Sequence, residues 1–189
     1  GESAPVQFRF RDKVRPDTAE MLSALEQRGI GVEMLTGDRE APAAALAAQA
    51  RIISWQAGVD PKRKAAHMEA QRKRGHRVLM VGDGLNDTGA LALAHVSIAP
   101  GTAADVSQLA ADMVLRGDSL MPIVEAVDVA RKARRLVLEN FAFAAVYNLA
   151  AIPLAMLGFV SPLLAAAMMA GSSLIVTLNA LRLAIRKSK

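Results

Sequence analysis

Short apolar runs alternate with longer polar or alanine-rich stretches through the first part of the chain. Runs of strand length lie at 30–35, 77–81, 95–98 and 112–115, with shorter ones at 8–10 and 52–53. The stretches between them predict helices at 16–28, around 41–50, at about 62–74 and between the last two strands. Strands that alternate with helices predict an α/β fold with a parallel sheet, which binds ligands at the carboxyl ends of its strands.

The apolar pattern changes after residue 118. Ser119 is a favourable N-cap, Pro122 fits a first helical turn, and no helix breaker follows before Pro153. The sequence therefore predicts one long helix. No charged residue occurs from Asn140 to Leu181. A Gly-Phe-Val-Ser-Pro segment divides this span into two runs of roughly 20 residues, each long enough to cross a bilayer as a helix.

Basic residues flank the uncharged span on both sides, while the segment between the two runs carries no charge. By the positive-inside rule, both ends lie in the cytoplasm and the connection faces outward. A buried helical hairpin in a soluble protein is the alternative. We predict a cytoplasmic domain at 1–118 and a stalk helix at 119–139. A membrane helix at 140–158, an extracytoplasmic loop at 159–162, a second membrane helix at 163–185 and a cytoplasmic tail at 186–189 follow.

Composition and charge narrow the kinds of site and partner that the chain can have. The chain has a net charge of +5 and contains no cysteine, which excludes disulfides and thiolate metal sites. Its densest basic cluster, at 72–77, contains no aromatic residue, and no nucleic-acid-binding module accompanies it. We interpret this cluster as a solvated helix end and expect no nucleic-acid partner. The chain starts at Gly1 without a signal peptide, and we expect it to be part of a larger domain.

Candidate chemistry lies at the ends of two predicted strands. The run at 77–81 ends in a Gly-Asp-Gly turn around Asp83, with Asn86 and Asp87 close behind. Glycines let a ligand approach the backbone, and carboxylate oxygens suit Mg²⁺ beside a phosphate. Asp83 and Asp87 are thus the predicted magnesium ligands, and Asn86 completes their polar network. An ordinary surface turn is the alternative, since Gly, Asn and Asp are common in turns.

The second group follows the strand at 30–35, which ends in Thr36, Gly37 and Asp38. Lys64 lies at the start of a later predicted helix, three residues after Pro61. A hydroxyl and backbone amides bind phosphoryl oxygens, and a lysine offsets their charge. With the Gly-Asp-Gly turn, these residues predict a phosphate-handling site.

Three motifs occur in a fixed order: TGD at 36–38, PKRK at 61–64 and GDGLND at 82–87. They resemble the second half of the phosphorylation domain of P-type ATPases, which belong to the haloacid-dehalogenase superfamily. The resemblance implies a Rossmann-like sheet, ATP and Mg²⁺ as cofactors, and ATP hydrolysis coupled to ion transport.

The sequence also departs from that family. It lacks the DKTGT segment that carries the phosphorylated aspartate, and it has Thr88-Gly89 where members usually have Ala-Pro. The resemblance therefore implies that the nucleophile and the nucleotide-binding domain belong to the remainder of the pump. Without them, we expect this chain to be inactive.

Polar side chains inside the two membrane runs form a further pattern. Met169 and Ser173 share one helix face, and a thioether selects Cu(I) over harder cations, although ordinary helix packing is an alternative. Tyr147 and Asn148, followed by Pro153, precede them. Together these residues are similar to the last two membrane helices of heavy-metal (P1B) ATPases of the Cu(I)-exporting type. The resemblance implies that Tyr147, Asn148, Met169 and Ser173 bind the transported Cu(I).

The same resemblance implies partners and a location. The CPC metal-binding motif of the family lies on an earlier helix, outside this sequence, and a copper chaperone is a further partner consistent with the family. The implied location is a bacterial inner membrane. The segment at 95–100 is similar to a subgroup that serves the assembly of haem–copper respiratory oxidases.

Two other functions stay open on the sequence. A membrane-anchored phosphatase would need its own nucleophile, and Asp12 follows the strand at 8–10. However, Asp12-Lys13-Val14 does not fit the DxD or DxT pattern of the superfamily. A non-catalytic, metal-binding remnant of a pump is the other alternative.

Overall fold

The computed structural model describes residues 14–83, 85–103 and 105–184. The strands are β1 (Glu33–Leu35), β2 (Ser54–Gln56), β3 (Leu79–Val81), β4 (Val96–Pro100) and β5 (Met113–Leu115). The helices are α1 (Thr18–Gln27), α2 (Glu40–Ala50), α3 (Pro61–Lys73), α4 (Thr88–Leu93), α5 (Asp105–Ala110), α6 (Met121–Met156) and α7 (Pro162–Leu181). This order confirms the predicted α/β fold followed by two long apolar helices. The predicted strand at 8–10, Asp12 and the tail at 186–189 lie outside the described residues.

The described strands form two parallel sheets instead of the single predicted one. β1 pairs with β2, while β3, β4 and β5 form the other sheet in that order. Residues of β1 and β3 line one cavity of about 900 Å³, and no described strand lies between them. Met34, Leu35 and Leu79 are only half-buried. Parallel strands are normally covered on both faces. The half-buried side chains therefore show that β1 and β3 are incompletely covered where they border this cavity.

The second strand lies later than the sequence pattern indicated, at Ser54–Gln56 rather than 52–53. Arg51 follows α2 in the left-handed conformation, with a φ of 59°, and the Ile52 amide donates to a carbonyl of the helix at 2.8 Å. Ile52 thus belongs to the helix cap, and its neighbour Ile53 is 96% exposed. The predicted strand is therefore present but begins just after this apolar pair, because the end of α2 uses the backbone of Ile52.

β1 is shorter than predicted and starts at Glu33 rather than at residue 30. The chain leaves α1 through Gly29, whose φ of 69° favours glycine. The Ile30 amide donates to the Leu25 carbonyl at 3.0 Å, so Ile30 still belongs to the end of α1.

A small apolar core joins the second sheet to the first turn of α6. Ile98, Leu115 and Ile123 are buried against one another. Ser97, which is 2% exposed, donates from its amide and its hydroxyl to Asp112 at 2.8 and 2.9 Å. The Ser97 amide, and then its hydroxyl, hold the pKa of the Asp112 carboxyl below its usual value. The carboxylate therefore stays ionised and keeps β4 bonded to the segment that enters β5.

The chain divides into two compact units, within 1–124 and 125–189. α6 begins in the first unit and continues in the second, through Pro153 to Met156. Gly158, with a φ of 80°, lies in the turn that follows. The Ser161 hydroxyl then accepts from the Leu164 amide at 3.3 Å and caps α7. Both helices are long and apolar enough to cross a membrane.

Polar side chains join α6 to α7 at one end of this hairpin. Asn179 donates to the Asn140 side chain at 2.9 Å, and Arg182 donates to Glu139 at 3.3 Å. Lys132 donates to the Arg182 carbonyl. Because these groups lie at the ends of the apolar runs, they fix the register of the two helices without placing a charge inside the uncharged span.

Candidate functional site

The ends of β1 and β3 and the first turn of α3 enclose one cavity of about 560 Å³. Polar residues and glycines make up most of its lining, which consists of Gly37, Asp38, Gly58, Val59, Asp60, Pro61, Lys64, Asp83, Asn86 and Asp87. The structure thus brings together the residues of the predicted phosphate-handling site. Thr36 adjoins the lining through a hydrogen bond to Asp38.

The loop after β1 is held by backbone and side-chain bonds. The Thr36 hydroxyl donates to Asp38 Oδ2 at 2.8 Å and accepts from the Asp38 amide at 3.1 Å. The amides of Val59 and Gly58 donate to the carbonyls of Thr36 and Asp38 at 2.9 and 2.8 Å. The hydroxyl is therefore oriented in advance, and it can donate to a ligand by exchanging the Asp38 carboxylate for an oxygen of that ligand.

Lys64 and Asp87 form an ion pair in the cavity wall. Lys64 Nζ lies 2.7 Å from Asp87 Oδ1, and each side chain is 12% exposed. Lys64 belongs to the first turn of α3, where Asp60 Oδ1 accepts from the Arg63 amide at 2.7 Å. Pro61 occupies the first position of that helix. The pair fixes one positive charge beside the cavity, and removal of either partner would leave the other uncompensated.

Asp60 is a cavity residue that the sequence analysis missed. A signal was available, because an aspartate directly before a proline is typical of a helix start. The sequence pattern assigned Lys64 of the same helix start to the site but gave Asp60 no role there. The hydroxyl of Thr88, one of the residues that depart from the family pattern, is buried and has no partner among the described residues.

The side-chain oxygens of the cavity supply some, but not all, of the ligands that Mg²⁺ needs. Asp38, Asp83 and Asn86 are exposed and line the cavity, while one oxygen of Asp87 is engaged by Lys64. Carboxylate and amide oxygens are the ligands that Mg²⁺ prefers, and it usually keeps several waters. The described residues include no group of three acidic or histidine side chains that could hold one metal ion. A cation in this cavity therefore requires further ligands from water or from chain outside the described residues.

Gly82 lies directly against the ion pair. A Cβ at this position would lie 2.8 Å from the Asp87 Cβ and 3.0 Å from Asp87 Oδ2. We expect Gly82→Ala to push Asp87 away from Lys64 and to lower the free energy of unfolding by about 1–3 kcal/mol, as overpacking of a tight site does. Denaturant unfolding of the purified protein measures the change.

Gly89→Ala is the matched control. Gly89 lies in α4, and a Cβ there would meet no atom within 4 Å. We expect this variant to keep its stability or to gain up to about 1 kcal/mol, because alanine is the better helix former. Equal stability of the two variants would contradict the close packing of Gly82 on Asp87.

The four predicted metal ligands of the long helices are not joined to one another by any described hydrogen bond or ring contact. Tyr147 is half-buried and stacks on Phe143, with ring centroids 6.2 Å apart. Asn148 and Ser173 are exposed, and Met169 is 70% exposed. The hairpin alone thus leaves three of these donors open to its surroundings.

Known proteins resemble this chain in sequence and in fold. Residues 5–95 match the family model of haloacid dehalogenase-like hydrolases. The nitrogen fixation protein FixI of Bradyrhizobium diazoefficiens is 49% identical over 172 residues, which cover 91% of this chain and 24% of that protein. The probable copper-exporting P-type ATPase V of Mycobacterium tuberculosis is 41% identical over 172 residues, which cover 91% of this chain and 22% of that protein.

Part of a crystal structure of a zinc-transporting PIB-type ATPase in its E2·Pi state has the same fold as this chain. The superposition has a TM-score of 0.86 and 31% sequence identity, over 92% of this chain and 28% of that chain. The chain thus spans about a quarter of the length of these relatives. By sequence and by fold, it belongs to the P-type ATPases of the heavy-metal (P1B) class, of which it forms a C-terminal part.

Proposed function

We propose that this chain handles magnesium and phosphate in an ATP-driven heavy-metal pump and supplies two helices of its metal path. One observation carries the proposal: the loop after β1, the Lys64–Asp87 pair and Asp83 converge on one cavity. A fixed hydroxyl, a largely buried lysine and open carboxylates are the groups that orient a phosphoryl group and offset its charge.

Each group at the phosphoryl side has a proposed role. Thr36 and the Gly37 amide would donate to phosphoryl oxygens once the Thr36 hydroxyl leaves Asp38. Lys64 would offset the negative charge on those oxygens from its fixed position in the cavity wall. The bond between Thr36 and Asp38, at 2.8 Å, would keep the hydroxyl aligned while the cavity is free of phosphate.

The acidic side of the cavity would hold magnesium. Asp83 is the better placed ligand, because its carboxylate is exposed on the cavity, whereas Asp87 shares one oxygen with Lys64. Asn86 would complete the network around these two acids. A bound Mg²⁺ would neutralise phosphoryl charge as a Lewis acid.

The remainder of the pump would complete the sheet. The cavity of about 900 Å³ between β1 and β3 has half-buried apolar strands on both sides. A strand that carries the phosphorylated aspartate would pair with these edges and would end beside Thr36 and Asp83. Such a strand would also provide the metal ligand that the described residues do not supply.

The hairpin of α6 and α7 would lie in the lipid bilayer. The most apolar windows of these helices are 6% and 0% buried, so their apolar side chains need a cover that the described residues do not provide. Lipid and the other helices of the pump would provide that cover, with both chain ends in the cytoplasm. The proposed stalk at 119–139 would connect the phosphorylation domain to the membrane helices.

Cu(I) is the proposed cargo. The thioether of Met169 is a soft ligand that suits Cu(I), and it lies on the same face of α7 as the Ser173 hydroxyl. Asn148 and Tyr147 of α6 would complete the site together with the CPC helix of the pump. One relative is named as a probable copper exporter, while the similar crystal structure is of a zinc transporter.

Paired variants in the complete pump test this cargo. We expect Met169→Ala to lower Cu(I)-stimulated ATP hydrolysis at least about tenfold, because a ligand of the metal is lost. Met168→Ala is the matched control, since Met168 is the adjacent half-buried methionine, and its expected change is less than about twofold. Equal losses in the two variants, or stronger stimulation of the parent by Zn²⁺ than by Cu(I), would contradict Cu(I) as the cargo.

A further inference from the structure

The start of α6 is held by a side chain from a distant part of the sequence. Asp17 Oδ2 accepts from the Ser119 hydroxyl at 2.7 Å and from the amides of Leu120 and Met121 at 2.5 and 3.2 Å. Leu120 is 103 residues away from Asp17 in the sequence. Arg15 adds a second link by donating to the Asp118 carbonyl at 3.1 Å. We call these contacts, between residues 15–17 and 118–121, the α6 clasp.

The clasp satisfies groups that a helix cannot satisfy by itself. The first amides of a helix have no partner inside it, and a carboxylate there also interacts favourably with the helix dipole. The Ser119 hydroxyl accepts from the Met121 amide at 3.2 Å, as expected of the cap predicted from the sequence. Asp17 Oδ2 shares the Met121 amide with Ser119 and also accepts from the Leu120 amide. The other Asp17 oxygen is buried without a partner among the described residues.

The ionisation of Asp17 follows from the same contacts. The Ser119 hydroxyl, and then the amides of Leu120 and Met121, hold the pKa of the Asp17 carboxyl below its usual value. At neutral pH the carboxylate is therefore charged and available to all three donors.

The clasp lies beside the sheet that ends at the candidate site. Ile123, in the first turn of α6, is buried against Ile98 of β4, and Leu79 of β3 packs against the same cluster. β3 ends two residues before Asp83. The first turn of α6 is thus held from two sides, by the clasp and by the core of the sheet that carries the proposed magnesium ligand.

We infer that Asp17 is a positioning residue that couples phosphorylation to metal transport by holding the first turn of α6 to the phosphorylation domain. The inference rests on the proposed function. α6 carries Tyr147 and Asn148, and it runs without interruption from the clasp to those residues. A displacement of the clasp on phosphorylation would therefore reach the proposed metal site through one continuous helix.

Three variants of the complete pump test the inference after reconstitution into proteoliposomes. We expect Asp17→Ala to form phosphoenzyme at the parent level, while Cu(I) transported per ATP hydrolysed falls at least about fivefold, the lower end of usual coupling effects. Asp17→Asn keeps a carbonyl acceptor and should restore part of that ratio. Asp118→Asn removes an exposed charge next to the clasp but keeps the carbonyl that Arg15 contacts, so it should match the parent.

The outcomes separate this inference from the proposed function. A parent pump that forms no phosphoenzyme refutes the proposed function. A pumping parent with an unchanged transport ratio in Asp17→Ala overturns the role of Asp17. Hydrogen exchange at the amides of Leu120 and Met121 tests the clasp in either case: it should be faster in Asp17→Ala than in Asp118→Asn, and equal exchange overturns the inference. If Asp17→Ala fails to fold, Asp17→Asn and Ser119→Ala take its place in both measurements.

Discussion

In the proposed complete pump, Asp83→Asn is expected to reduce phosphoenzyme formation from ATP by at least about a hundredfold. Asp83 is the second residue after β3 and is exposed on the proposed phosphoryl cavity. Asparagine keeps the size of the side chain but loses the charge that a hard cation prefers. The measurement is the acid-stable incorporation of phosphate from radiolabelled ATP, at saturating Mg²⁺ and with the transported metal present.

Asp60→Asn is the matched control for this prediction. It removes the same charge from the same cavity, but the Asp60 side chain caps α3, and asparagine caps a helix about as well as aspartate does. We expect its phosphoenzyme level to stay within about twofold of the parent. Equal losses in both variants would mean that the cavity responds only to net charge. Normal phosphoenzyme in Asp83→Asn would refute its role as a magnesium ligand.

The residues of this cavity could be predicted because each belongs to a short local pattern. A strand that ends in Thr36-Gly37-Asp38 or in a Gly-Asp-Gly turn places its polar groups at the strand end, whatever the strand pairs with. The division into two sheets could not be predicted in this way. Strand pairing depends on segments distant in the sequence, and no described strand fills the space between β1 and β3.

The pattern of apolar and polar residues also could not predict contacts between residues far apart in the sequence. The sequence identified Ser119 as the cap of α6, but the structure adds the Asp17 carboxylate from 102 residues earlier in the chain. An aspartate before a helix is an ordinary N-cap signal for that helix. Asp17 makes no capping bond to α1, which it precedes, and instead caps α6. Local rules recognised the residue type but not the helix that it serves.

In the hairpin, residue spacing also predicted only part of the arrangement of the side chains. The spacing correctly placed Met169 and Ser173 on one face of α7, because residues four apart in a helix share a face. It could not tell which face packs on α6. In the structure their neighbours Met168 and Ser172 are half-buried, while Met169 and Ser173 are exposed. The proposed ligands therefore point to partners that a two-helix hairpin does not contain.

Lys64→Met is expected to reduce phosphorylation as severely as Asp83→Asn and, unlike that variant, to destabilise the fold. Asp87 would lose the partner that now lies 2.7 Å away, in a position where its side chain is 12% exposed. An acceptor left without a partner in such a place lowers the free energy of unfolding by about 1–3 kcal/mol. Denaturant unfolding and phosphoenzyme formation are measured on the same preparation.

A double variant, Lys64→Met with Asp87→Asn, separates the two effects. Replacing the unpaired carboxylate by a neutral amide should return most of the lost stability, because an uncompensated charge costs more than an uncharged polar group. Phosphorylation should stay at least about a hundredfold low, since the described lining of the cavity would no longer carry a basic side chain beside the phosphoryl oxygens. Lys62→Met removes an exposed lysine from the same helical turn and should change neither quantity. If the double variant regained phosphorylation together with stability, Lys64 would be a structural residue and not part of the phosphoryl site.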